Sequence, residues 1–368
     1  MISRRAFLLT PAALLAAEFR LKAAEARLNV VLIVARGWRG LATPWAGEAD
    51  LKAPNLEQFG KNAVVFPRAY ACDPQADPGR AGILTGRYPH ANGVTGDGAP
   101  LRTEEVTLDA ILKVAGYAVG DRVEWLDSKP GGPFFLNLTL EPPRVSQPAD
   151  ASNLHVRDNV PAGADASVRE ELARRYGAYA AMDEQLGAAL AALDRKKLAQ
   201  NTVVVFTADR GEQIGSHGLE GDGVWFEESV RVPLAIRHPR AQPFASDVVA
   251  SHVDIVPTLL ALCGEPAFEG LQGHDLSALL LGQKGDRPES VFAEGQLGEK
   301  DEWRMLVQGA DKIVVDVNGD VTHLYNLADD AFELTNLAHE PSVKLKRDQL
   351  LAGLRATRQR LLDFRRRS

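Results

Sequence analysis

Asn29-Val30-Val31-Leu32-Ile33-Val34 is an unbroken apolar run, mostly β-branched, and it decides the fold. A strand wetted on one face alternates apolar with polar residues, whereas a run without alternation is covered on both faces, as in the middle of a parallel sheet. Two more stretches share this character, Pro133 to Leu140 and Thr202 to Phe206, and Ala63 to Phe66 adds a shorter strand. Helical patterns lie between them. Pro54 to Gly60 opens on proline, Pro78 to Thr85 is built of small residues, and Leu108 to Ala115 is closed by Gly116. Val168 to Leu193 places Leu172, Tyr176, Tyr179, Met182, Leu186 and Leu190 on one helical face. Strands alternating with helices predict a doubly wound α/β sheet, with ligands at the carboxyl ends of its strands.

Glu141 to Asp165, rich in Pro, Asp and Ser, reads as a surface loop. The pattern changes near residue 290. Arg304 to Val307, Asp311 to Val317 and Val321 to Tyr325 predict a small antiparallel meander turning at Asn318-Gly319, and Val343 to Leu362 a closing polar helix. Three parts are expected: 1–26 as a leader, 27–290 as the α/β domain and 291–368 as a small C-terminal α+β subdomain.

The 368 residues are 45% hydrophobic and 25% charged, with a net charge of −7, the composition of a soluble globular protein. The acidic balance argues against a nucleic-acid partner. The Arg-rich end, Arg365 to Arg367, reads as a solvated helix terminus. Cys72 and Cys263 are too few for a disulfide framework and read as buried thiols, with a single bridge as the alternative. Ser3-Arg4-Arg5-Ala6-Phe7-Leu8 looks like a twin-arginine export signal, and the apolar run after it is too short to span a bilayer. Ala24-Glu25-Ala26 supplies small residues for cleavage before Arg27. The localisation expected is periplasmic or secreted, in a bacterium, with no transmembrane span after signal removal.

Several motifs in order resemble the sulfatase family of the alkaline-phosphatase superfamily. They are Asn29 to Ala35, Ala53-Pro54-Asn55-Leu56, Arg80 to His90, Thr207 to Glu212, Glu227 to Pro233, Val253 to Leu260 and Leu324-Tyr325-Asn326-Leu327. The fold this implies is α/β: a large doubly wound mixed sheet flanked by helices, with a small C-terminal antiparallel sheet plus helix.

The resemblance also implies a site. Such sulfatases attack sulfate esters with a formylglycine made from the first residue of C-x-P-x-R, beside a divalent cation, usually calcium. Two registers compete here. Pro78 and Arg80 put Ala76 at the nucleophile position, whereas Cys72 and Pro74 would begin the motif four residues earlier. The interval from Arg80 to Thr85-Gly86-Arg87 selects the first, so a methyl group stands where the nucleophile belongs. The two aspartates after the first strand read Arg36 and Gly37, and the later Asp-Asn or Asp-His pair reads Asp209 and Arg210. Calcium needs about 6–8 oxygen ligands, mostly anionic, and guanidinium stays protonated. No cofactor is expected, and calcium only if the enzyme is active after all. Glu124, Pro142-Pro143 and Asp222 replace the family's Lys-x-His, Pro-His and Lys.

Arg80, Arg87, Asp209 and His217 keep family positions. The candidate anion-binding and pocket residues are Arg80, His217, Arg36, Arg210, Asp222 and Glu124. An internal ion network is expected in place of the cation, with Arg36 and Arg210 on Asp209, and with Glu124 and Asp222 facing Arg80. The function expected is a catalytically inactive pseudo-sulfatase that binds sulfated carbohydrate or an active sulfatase partner. The alternative is a hydrolase of sulfate or phosphate esters using non-standard residues.

Overall fold

The computed structural model describes residues 27–128, 131–144 and 147–367, with side chains to residue 362. The twin-arginine segment and its cleavage site lie outside the described residues. Seven strands form the main sheet: β1 Asn29–Ala35, β2 Val64–Val65, β3 Ala118–Gly120, β4 Phe134–Leu140, β5 Thr202–Ala208, β6 Leu234–Arg237 and β7 Phe244–Ala245. Their spatial order is β7-β2-β6-β5-β1-β4-β3. β3, β4, β1 and β5 run parallel, and β6 runs antiparallel between β5 and β2. The sheet is therefore mixed.

The unbroken hydrophobicity of β1 follows from its central place. Val31 and Ile33 face one apolar layer and Val30, Leu32 and Val34 the other, so neither parity meets water. Helix α4, Asp165–Arg195, covers the first face with Leu172, Tyr176, Tyr179, Met182 and Leu186. Helices α3, Leu108–Val114, and α5, Ile255–Cys263, cover the second. Two shorter pieces matter for the site: α1, Pro54–Gly60, and α2, Ala76–Thr85. Cys72 and Cys263 are both free and buried, so the bridge is not formed.

The C-terminal sheet has four antiparallel strands in sequence order: β8 Ser290–Gly295, β9 Trp303–Gln308, β10 Asp311–Asp316 and β11 Val321–Asn326. Gly319, with φ +86°, makes the expected turn. The sequence reading missed β8, whose short apolar core Val291-Phe292-Ala293 ends at once in Glu294-Gly295. Helix α6, Lys344–Arg367, packs Leu350, Leu354 and Leu361 under this sheet.

One buried cation joins the two parts. Lys312 on β10 is fully buried, and its Nζ lies 2.8 Å from Glu333 Oε1 and 3.1 Å from Glu227 Oε1, the latter in the Glu-Glu-Ser segment after β5. Burial lowers the affinity of Lys312 for its proton, but the two carboxylates outweigh this and raise its pKa. Among the described residues no helix is long and apolar enough to cross a membrane.

Candidate functional site

Three neighbouring parallel strands end together, and each delivers a charged residue at its carboxyl end. β1 leads into Arg36, β4 into Glu141 and β5 into Asp209. Backbone bonds hold the junction: Arg36 N–H donates to Leu140 O (3.1 Å) and Asp209 N–H to Ala35 O (3.0 Å). Helix α2 enters over these ends from Gln75, whose extended backbone makes it the N-cap, so Ala76 is the first helical residue. The approach is close. A Cβ built on Gly79 would lie 2.1 Å from the Asp209 carbonyl oxygen, so only glycine lets the helix come down here. Arg80, one turn into α2, donates from Nη2 to Thr139 Oγ1 of β4.

Cys72 stands outside this pocket. Its Sγ packs where a Cβ on Gly82 would lie, 2.2 Å away, on the side of α2 that meets Tyr88, Val253 and Phe292. Burial holds the thiol well above its ordinary pKa, so it is protonated and enclosed.

The expected cation site is occupied by protein. Asp209, 1% exposed, accepts from Gly37 N–H (2.8 Å) and lies 3.4 Å from Arg210 Nη1. The other edge of that guanidinium, through Nε, pairs with Asp222. Burial pushes the Asp209 carboxyl up, while Arg210, the Gly37 amide, Arg36 and Arg80 pull it down. Gly37 has φ +62°, and a Cβ there would lie 3.7 Å from Arg210 Nη2 and from Glu212 Oε2. An aspartate at 37 would thus point into space held by Arg210 and Glu212. Glu212 is fixed from α4, by Tyr179 Oη (2.7 Å) and Arg175 Nη1 (2.9 Å). One buried carboxylate with a guanidinium already seated against it does not fit a calcium ion.

The network differs from the expected one in three places. Arg36 pairs with Glu141 (Nε to Oε1, 3.1 Å) instead of Asp209, because β1 and β4 are adjacent and their ends emerge side by side. Asp222 pairs with Arg210 and leaves Arg80 to Thr139. Glu124 lies exposed on a 3-10 turn, Val123–Ser128, docked to the far end of α4 by the Asp127–Lys196 pair (2.7 Å).

His217 sits apart from Asp209, in the layer between the two sheets. Its ring stacks on Phe226 (centroids 3.7 Å apart), and its Nε2 lies 3.1 Å from Asn159 Nδ2. The same Asn159 nitrogen donates to Glu228 Oε1 at 2.8 Å. Burial lowers the His217 pKa, so it is a neutral acceptor. Arg87 pairs with Glu105 at 3.3 Å on the outer end of α2. Thr139, Glu141, Glu212, Arg175 and Tyr179 all shape the pocket and were missed. Arg175 stands one helical turn before the buried Tyr179, at the edge of the apolar face of α4, which was the available signal.

A mixed sheet whose central carboxyl ends carry the site under a helix N-terminus defines the alkaline-phosphatase-like class. The chain belongs to the sulfatase family: the family model described as Sulfatase matches residues 29–131 and 122–265, and that for the N-sulphoglucosamine sulphohydrolase C-terminal region matches residues 215–360. It is 27% identical over 340 residues to an ulvan-active sulfatase of Formosa agariphila, covering 71% of this chain and 66% of that protein. Human arylsulfatase A is 28% identical over 359 residues, with 72% of this chain and 70% of that one covered. In fold it resembles a solved protein in complex with its substrate D-glucosamine-2-N,6-O-disulfate, with TM-score 0.84, 17% identity and 92% and 98% of the two chains covered. It likewise resembles a phosphonate monoester hydrolase of Agrobacterium radiobacter, with TM-score 0.82, 20% identity and 91% and 96% covered.

Proposed function

We propose that this sulfatase-family protein recognises a sulfated carbohydrate without hydrolysing it. The observation that carries the reading is the pairing pattern around Ala76. Arg36 and Arg210 have carboxylate partners, whereas the described partner of Arg80 is the neutral Thr139 hydroxyl. A guanidinium beside a helix N-terminus, hydrogen-bonded among the described residues to a neutral hydroxyl, matches a sulfate group bidentately. The Ala76 methyl has no proton to lose and no lone pair, so it supports binding without attack on sulfur. A relative named as an ulvan-active sulfatase and a structural neighbour solved with a disulfated glucosamine support a sulfated sugar as ligand. The protein works outside the cytoplasm, exported through its twin-arginine segment.

The test is paired. Titration calorimetry with glucosamine 6-sulfate is expected to show binding that Arg80→Ala removes and EDTA leaves intact. Turnover of an aryl sulfate is expected to be undetectable. Hydrolysis by purified protein, lost on substitution of a pocket residue, would replace this reading with that of an active esterase.

A further inference from the structure

Helix α6 concentrates charge of one sign. Residues 344–367 carry nine Lys and Arg against two Asp, in a protein whose net charge is −7. The helix has spent its apolar face: Leu350, Leu354 and Leu361 are buried under the C-terminal sheet. The 3.6-residue period then places Lys344, Arg347, Arg355 and Arg358 along one flank beside that buried stripe. Lys344 and Arg347 share Asp348, at 2.7 and 3.7 Å, two cations on one acid. Arg355 and Arg358 are exposed two turns further on. Burial first, then the like charge of Arg304, lowers the pKa of Arg358 against the opposing pull of Glu302 and Glu294.

We propose that this flank docks a linear polysulfated polysaccharide. From Arg347 to Arg358 is eleven residues, about 16 Å along the helix, enough to meet several charges of one extended chain. Arginine predominates on the flank, and its planar fork suits sulfate oxygens. A membrane-surface helix needs a free apolar face to insert, and here that face is in the core. The choice of a sulfated chain over another polyanion rests on the function proposed above; the docking flank itself does not.

The test uses the full chain and fluorescent dextran sulfate, with neutral dextran, phosphatidylglycerol vesicles and duplex DNA as comparators. Dextran sulfate is expected to bind, and Arg355→Glu with Arg358→Glu to weaken it by about tenfold or more and flatten its salt dependence by one to two counterions. Should that pair lower the melting temperature, Arg355→Gln with Arg358→Gln reads the same loss without charge reversal. Unchanged affinity in these variants overturns the proposal, as does tighter binding to vesicles or DNA than to dextran sulfate. Arg80→Ala is expected to weaken dextran sulfate less than the α6 double variant does; if Arg80→Ala abolishes binding while the α6 variants leave it unchanged, the chain sits in the pocket and the flank is idle. Retained dextran sulfate binding without any glucosamine 6-sulfate binding would instead defeat the pocket reading alone.

Discussion

Arg210 Nη1 lies 3.4 Å from Asp209 Oδ1, and the Nε edge of the same guanidinium meets Asp222, so one side chain ties the carboxyl end of β5 to the loop before Phe226. The resemblance leads one to expect a metal ligand and a lysine at those places; the chain carries an arginine and an aspartate of opposite sign there, paired with each other.

Asp209→Ala removes the acceptor of the Gly37 amide and strands Arg210 against a buried pocket. The expected loss is about 3 kcal/mol, the low end for a broken buried pair, because Arg210 keeps Asp222 and some water. Chemical denaturation measures it; a midpoint equal to that of the parent protein would show that the pair is idle.

Restoring the acidic cage tests the same geometry in reverse. Arg36→Asp, Gly37→Asp and Arg210→Asn together are expected to create a calcium-dependent rise in melting temperature that the parent lacks, about 2.7 kcal/mol at 100-fold the dissociation constant. Gly37→Asp alone should destabilise, since φ +62° there strains a side-chain-bearing residue and brings a second carboxylate close to Glu212.

Gly82 and Cys72 should behave as one unit. A methyl on Gly82 would lie 2.2 Å from Cys72 Sγ, so Gly82→Ala is expected to cost about 1–3 kcal/mol by overpacking. Adding Cys72→Ala opens the space, and the double variant should recover most of the loss. Simple additivity in thermal melts would contradict this packing.

Stability should fall on the acid side. His238 is held down to about 4 by burial and by Arg240, and its Nδ1 accepts the Arg240 amide at 3.0 Å. Its folded pKa lies below the unfolded value near 6.5, so its contribution is complete above 6.5 and is lost as pH falls toward 4. His323 (about 4) and His252 (about 3), both lowered chiefly by burial, act in the same direction. His238→Asn keeps an acceptor without a titrating ring and should reduce the slope by one proton, about 1.4 kcal/mol per pH unit. An unaltered urea-midpoint profile from pH 7 to 4 would refute it.

The sheet was legible because β1, β4 and β5 are buried on both faces and must be continuously apolar. Ala76, Arg36, Gly37 and Arg210 were expected near one another from the intervals of short motifs, and the structure sets them at the start of α2 and the ends of β1 and β5. The partners were not. Arg36 finds Glu141, 105 residues away, only because β1 and β4 are neighbours, a fact of strand order that local pattern does not encode. Glu124 was placed in the pocket by motif spacing, yet the turn that carries it follows Trp125, packed over Gly120 at the sheet edge. The sequence also concealed Lys312, a cation set directly before the apolar run Ile313-Val314-Val315, whose partners Glu227 and Glu333 come from distant segments.

That enclosed ammonium has a thermodynamic corollary. Peeling β10 from the α/β body would leave two acids and a lysine naked in a dry seam, a state too costly to populate. Calorimetry should therefore record one endotherm for the whole protein, and a proteolytic fragment ending near residue 290 should not hold its shape.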